Sequence, residues 1–151
     1  MTTTTRRLFV SAGLGMVALL SGCLSATQLV HFPDQSKSIE TPGKARVYMM
    51  FPYMTNMTTF RVNVYENDRA IGANSANGYL CWETDPGEKR FSSKVAQAFG
   101  AKAALTVSLQ PNRVYYIKQD LRPMGLVNTF SMQLLSDMEG RKVLAGCTSP
   151  E

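Results

Sequence analysis

From residue 45 onward, apolar and polar residues alternate with a period of two, the pattern of strands that bury one face. Phe60, Val62 and Val64 alternate with Arg61, Asn63 and Tyr65. Leu105, Val107 and Leu109 alternate with Thr106, Ser108 and Gln110, and Phe130, Met132 and Leu134 with Ser131 and Gln133. Further strands are predicted over 45–51, 69–73, 78–84, 88–91 and 113–120. Turn residues separate them. Glu66-Asn67-Asp68-Arg69 and Asn77-Gly78 carry residues that tolerate left-handed backbone. In Asp85-Pro86-Gly87 the proline presets φ and the glycine accepts a positive one. Pro111-Asn112 marks a further turn. The stretch 93–102 reads as a short helix or a loop. Together these elements predict an all-β fold: a β-sandwich of about seven to eight short antiparallel strands with at most one or two short helices.

The first residues follow a different pattern. Arg6 and Arg7 precede an uncharged run from Leu8 to Leu20. About 13 residues are too few to cross roughly 30 Å of hydrocarbon as a helix, and suit the apolar region of a secretory signal. The run ends in Leu20-Ser21-Gly22-Cys23, which resembles the lipobox of bacterial lipoproteins. That resemblance implies cleavage before Cys23 and lipid on its thiol and new amino group. More than one acyl chain, at about 0.8 kcal/mol per buried CH₂, gives stable anchoring. Leu24 follows the cysteine, not Asp, which by resemblance to Gram-negative sorting rules implies the outer membrane, facing the periplasm. Thr5-Arg6-Arg7-Leu8-Phe9-Val10 also resembles a twin-arginine export motif, so either export route fits.

Residues 24–44 are rich in Ser, Thr, Gln and Pro. They read as a tether with an r.m.s. reach of about 25 Å, although Leu29, Val30 and Phe32 offer side chains that could dock. The predicted organisation is a signal peptide over 1–22, lipid anchor and tether over 23–44, and a β-sandwich over 45–151.

Composition narrows the function. The chain of 151 residues is 44% hydrophobic and only 18% charged, below the roughly 25% usual for soluble domains. Its aromatic residues argue against disorder. The net charge of +5 falls to +3 once Arg6 and Arg7 are set aside. The remaining basic residues are scattered through the sequence, so the clustered basic signature of nucleic-acid binding is missing.

Several motifs, taken in order, resemble a bacterial lipoprotein family known as domain of unknown function 2846. They are Ala45-Arg46-Val47-Tyr48, the hairpin from Val64 to Gly72, Asn77-Gly78-Tyr79, Pro86-Gly87-Glu88, the tyrosine-pair strand Val114-Tyr115-Tyr116-Ile117-Lys118, and Gly140-Arg141-Lys142. The resemblance covers roughly residues 45–144. It implies a lipid-anchored β domain and carries over no catalytic residue.

With Cys23 assigned to lipid, Cys81 and Cys147 remain, and in an oxidising compartment the simplest expectation is a disulfide. Two free thiols or a metal pair are the alternatives. Alternation puts Leu80 and Trp82 on one face of their strand and Tyr79, Cys81 and Glu83 on the other.

Catalytic chemistry finds little support. His31 is the only histidine and lies in the tether. Asp68, Asp85 and Asp137 sit at turn or cap positions, and no base with an orienting partner is evident. Four of the nine methionines, Met49, Met50, Met54 and Met57, fall close together. Thioethers suit Cu(I), but packing in the core and on an adaptable apolar loop is the favoured account of these methionines. Tyr79, Trp82, Tyr115 and Tyr116 could form a stacking platform for cell-wall glycan. The reading is a non-enzymatic, lipid-anchored envelope lipoprotein acting as an interaction or structural accessory module, bound to the membrane through Cys23 and to an envelope protein partner. It calls for no cofactor and no metal. The expected contact loop carries Phe51, Tyr53, Met54 and Met57, because Pro52 ends the strand and connections run over the surface. A ligand-binding module for cell-wall glycan or Cu(I) is the alternative.

Overall fold

The computed structural model describes residues 26–52, 60–96, 102–124 and 127–148. They form nine strands and one helix: β1 (Thr27–Gln28), β2 (Ala45–Phe51), β3 (Arg61–Glu66), β4 (Arg69–Ser75), β5 (Gly78–Thr84), β6 (Gly87–Val95), β7 (Lys102–Leu109), β8 (Val114–Met124), β9 (Val127–Leu135) and α1 (Asp137–Leu144). The strands make a five-stranded sheet, ordered β1-β4-β3-β6-β7, and a four-stranded sheet, ordered β5-β2-β8-β9. All pairs are antiparallel except β2 with β8, which run parallel. The all-β sandwich agrees with the expectation; the parallel pair does not, because periodicity identifies strands and not their neighbours.

Alternation explains the core. On β2, Ala45, Val47, Met49 and Phe51 point between the sheets, while Arg46, Tyr48 and Met50 point to the other side. Every residue of this strand is buried. The inward set meets Val64 and Phe91 of the larger sheet, and Leu80, Trp82 and Ile117 of its own. Phe51 joins Val62, Val95, Leu121 and Phe130 at one end. Three polar side chains also lie between the sheets. Asn74 donates to the Met49 carbonyl at 2.9 Å and to Gln119 Oε1 at 3.2 Å, and Gln119 donates to Ser93 Oγ at 2.7 Å.

The turns behave as their residues require. Asn67 and Asp68 both take positive φ, at 45° and 65°, and close the β3–β4 hairpin. Asn77 (65°) and Asn112 (56°) do the same at the other asparagine turns. Gly87 enters β6 at φ 118°, where a side chain would be strained.

Of the stretch 93–102, residues 93–95 belong to β6 and residue 102 to β7, and residues 97–101 lie outside the described ones; the helix among the described residues is α1. Its signal is a capping box: the Ser136 side chain accepts from the Glu139 amide, and the Glu139 carboxylate reaches back to the Ser136 amide. Among the described residues no helix is long and apolar enough to cross a membrane.

Candidate functional site

The two outer faces of the sandwich are treated differently. The outer face of the smaller sheet is covered. Tyr48, Met50, Tyr79, Cys81 and Tyr116 form a third apolar layer there, overlaid by Phe32 from the N-terminal arm and by Val143, Leu144 and Cys147 from the C-terminal end. Tyr48 stacks on Tyr116 with centroids 5.3 Å apart.

Residues 26–44, expected to be a tether, therefore lie on the sandwich as an arm. Ala26 is buried, β1 pairs with β4, and Val30 and Phe32 pack into apolar clusters, whereas Leu29 stays 68% exposed. Arg46 and Glu83 fasten the arm. The Arg46 guanidinium, 1% exposed, donates to the Lys37 carbonyl at 2.6 Å, to the Asp34 carbonyl at 3.1 Å and to Glu83 at 2.8 Å. Glu83 also accepts the amides of Glu40 at 2.6 Å and Thr41 at 2.8 Å. Burial opposes the Glu83 charge, but these N–H donors outweigh it and hold its pKa below the ordinary carboxylate value. Gln28 closes the β5 edge by pairing its side-chain amide with both backbone groups of Cys81, as a neighbouring strand would.

The outer face of the larger sheet has no such cover among the described residues. Small and polar side chains occupy it. Thr27, Asn63, Ala70 and Ala73 line a shallow depression of about 260 Å³ with Leu29, Arg61 and Tyr65. Next to it, Arg90, Ser92, Lys94, Lys102 and Ala104 line a second of about 400 Å³, with Asp68 at its rim. Lys94 lies over the Tyr65 ring, 5.3 Å from its centroid, a cation–π contact that joins the two. Asp68 faces Arg90 at 3.5 Å, with both side chains exposed. This open, basic, gently concave surface is the candidate functional site. In sequence its cations are spread from Arg61 to Lys102 and interleaved with core residues, so composition alone does not reveal the cluster.

The residues singled out from sequence are distributed as follows. Phe51 is not on a contact loop: it is fully buried and meets Phe130 edge-on at 6.5 Å. As the last residue of β2 it continues the inward alternation of Val47 and Met49. Tyr53, Met54 and Met57 lie outside the described residues, as does Cys23. Met49 and Met50 are both buried, on opposite faces of β2, so these two thioethers cannot share a copper ion. The aromatic platform is also divided. Tyr115 and Trp82 face the intersheet core, whereas Tyr79 and Tyr116 lie in the third layer.

Cys81 and Cys147 share the third layer but are free thiols, not the expected disulfide. The Cys81 side chain contacts Tyr48, while Cys147 Sγ turns back to the Val143 carbonyl at 3.5 Å. Burial pushes the Cys81 thiol up to about 12 and that of Cys147 up to about 11.

His31 meets Glu40 Oε2 at 3.1 Å on the surface of the arm. Glu66 is saturated, accepting from Trp82 Nε1 at 2.6 Å and Thr84 Oγ1 at 2.5 Å, with Lys89 Nζ 3.2 Å away. Among the described residues no three His, Cys, Asp or Glu side chains gather as a metal-binding group. Comparison with protein-family models, with curated proteins and with solved structures finds no match to this chain.

Proposed function

We propose that the protein is a non-enzymatic, lipid-anchored lipoprotein of the cell envelope, held at the periplasmic face of the outer membrane through Cys23. It works as an interaction or structural accessory module, and its contact surface is the open face of the larger sheet. The observation that carries this reading is the asymmetry of the sandwich. One outer face is sheathed by the arm and α1, while the other presents Arg61, Arg90, Lys94 and Lys102. A sheet face left open beside a covered one is suited to recognition. The lipobox Leu20-Ser21-Gly22-Cys23 and the resemblance to domain of unknown function 2846 lipoproteins support the anchor and the class. The buried carboxylates Glu66 and Glu83 are fully engaged in holding strands and arm, which favours a binding role over acid–base chemistry.

Metabolic labelling with palmitate tests the anchor. Wild-type protein is expected to be labelled and cleaved before Cys23. Cys23→Ser is expected to remain an unlabelled precursor, and equal labelling of the two proteins would remove the anchor assignment. Residue-resolved amine labelling in native envelope tests the contact surface, with Lys94 and Lys102 expected to be shielded relative to Lys142 on the covered side.

A further inference from the structure

What the open face meets can be argued from where the chain joins it, on the basis of the lipoprotein reading above. Ala26 is 3% exposed and Thr27–Gln28 pair with β4, so the chain is fixed to the sandwich from Ala26 onward. Cys23 lies only three residues earlier. Three extended residues span at most about 11 Å, far less than a free tether would reach. Lipid on Cys23 therefore brings the bilayer surface close to the β1 edge of the larger sheet.

The β1 edge opens onto the uncovered face. Thr27 and Leu29 line its first depression together with Arg61 and Tyr65. Leu29 is an exposed apolar side chain at the point of attachment. Beyond it, Arg90, Lys94 and Lys102 line the second depression, with Asp68 the acidic group at the rim. Glu88 is the other carboxylate of this face, exposed on β6, so cations outnumber acids by two. On the opposite side most cations have a carboxylate partner: Arg46 pairs with Glu83 at 2.8 Å, Arg122 with Asp120 at 3.0 Å, Arg141 with Asp137 at 2.9 Å and Lys37 with Asp34 at 3.6 Å. The side nearest the anchor is thus the side with excess positive charge, which complements anionic headgroups.

We propose that the open face of the larger sheet lies flat on an anionic phospholipid surface, with Leu29 at the headgroup boundary and Arg61, Arg90, Lys94 and Lys102 over the phosphates. The domain is then clamped to the membrane instead of swinging above it, and the arm and α1 are the layer presented to the periplasm.

Residue-resolved amine labelling of the lipidated, full-length protein on vesicles tests this. Lys142, exposed on α1, is the internal reference. On phosphatidylglycerol-rich vesicles, labelling of Lys94 and Lys102 is expected to fall by about tenfold relative to Lys142. The protection should be lost on pure phosphatidylcholine and in about 0.5 M salt. Leu29→Ser combined with Arg90→Gln changes two exposed side chains and should restore most of the labelling. Equal labelling of the three lysines on vesicles that carry the protein overturns the proposal while leaving the anchor intact. Protection found in native envelope but not on protein-free anionic vesicles also overturns it, and assigns the face to a protein partner. A protein that fails to float with vesicles because Cys23 carries no lipid removes the lipoprotein reading, and this inference with it.

Discussion

At the residue scale, Gly140 shows how context reverses an intrinsic preference. Replacing a helical glycine with alanine normally stabilises by about 1 kcal/mol. Gly140 is the buried residue of α1, and a Cβ there would run into the Cβ and ring of Tyr116. Tyr116 cannot yield, because it is itself stacked on Tyr48. Gly140→Ala is expected to destabilise by about 1–3 kcal/mol, as overpacking does, measured by denaturant unfolding. The thiols give a second test at this scale. Cys147, pushed up to about 11 from an ordinary 9.0, has about a hundredfold less thiolate near neutral pH. Cys81 has less still. Iodoacetamide at pH 8 is expected to modify native protein slowly and both residues quickly once unfolded; non-reducing peptide mapping that finds them linked would contradict the free thiols.

At the element scale, the arm is an acid-sensitive strap. Glu83 has a folded-state pKa below its ordinary 4.5. Its contribution to docking is therefore present above that value and is lost as pH falls through the folded-state value. Glu40 shifts the same way, held down by the Asp34 amide and by His31. Protection of the Glu40 and Thr41 amides, corrected for the intrinsic pH dependence of exchange, is expected to fall below pH 4.5 before that of the strands. Glu83→Gln should flatten that dependence and raise exchange at neutral pH. This strap was not legible in the sequence, for a physical reason. A two-residue strand such as β1 has no period to detect, and residues 33–41 dock through backbone groups on Arg46 and Glu83 instead of an apolar stripe. The eight longer strands were legible, β3 and β7 because alternate residues are hidden, β2 and β5, buried almost throughout, as apolar runs between turn residues. Helix α1 was not placed because it is short and interrupted by Gly140, a poor helix former, although Ser136 and Glu139 already carried the capping signal. Of the candidate site, single cations were visible, but their assembly on one face depends on strand order, which periodicity does not encode.

At the scale of the whole molecule, the sandwich is completed by a layer that lies outside its strands. If the arm were absent, the layer of Tyr48, Met50, Tyr79, Cys81 and Tyr116 would lose Phe32 and keep only its C-terminal cover, leaving part of an apolar sheet face exposed, and Arg46 and Glu83 would each lose two of their partners. Large exposed apolar faces drive association, and a charge stripped of its buried partners destabilises further. A chain beginning at Ala45 is therefore expected to fold poorly or self-associate, to bind a hydrophobic dye, and to alkylate Cys81 far faster than the full-length protein. Size-exclusion chromatography and the alkylation rate report these outcomes together. A monomeric, dye-negative chain with slow Cys81 would mean that α1 alone covers the face, and the arm would then be a dispensable strap. The expected result ties the folding of the sandwich to the docking of its N-terminal arm, whose Phe32 covers the third layer and whose β1 completes the larger sheet.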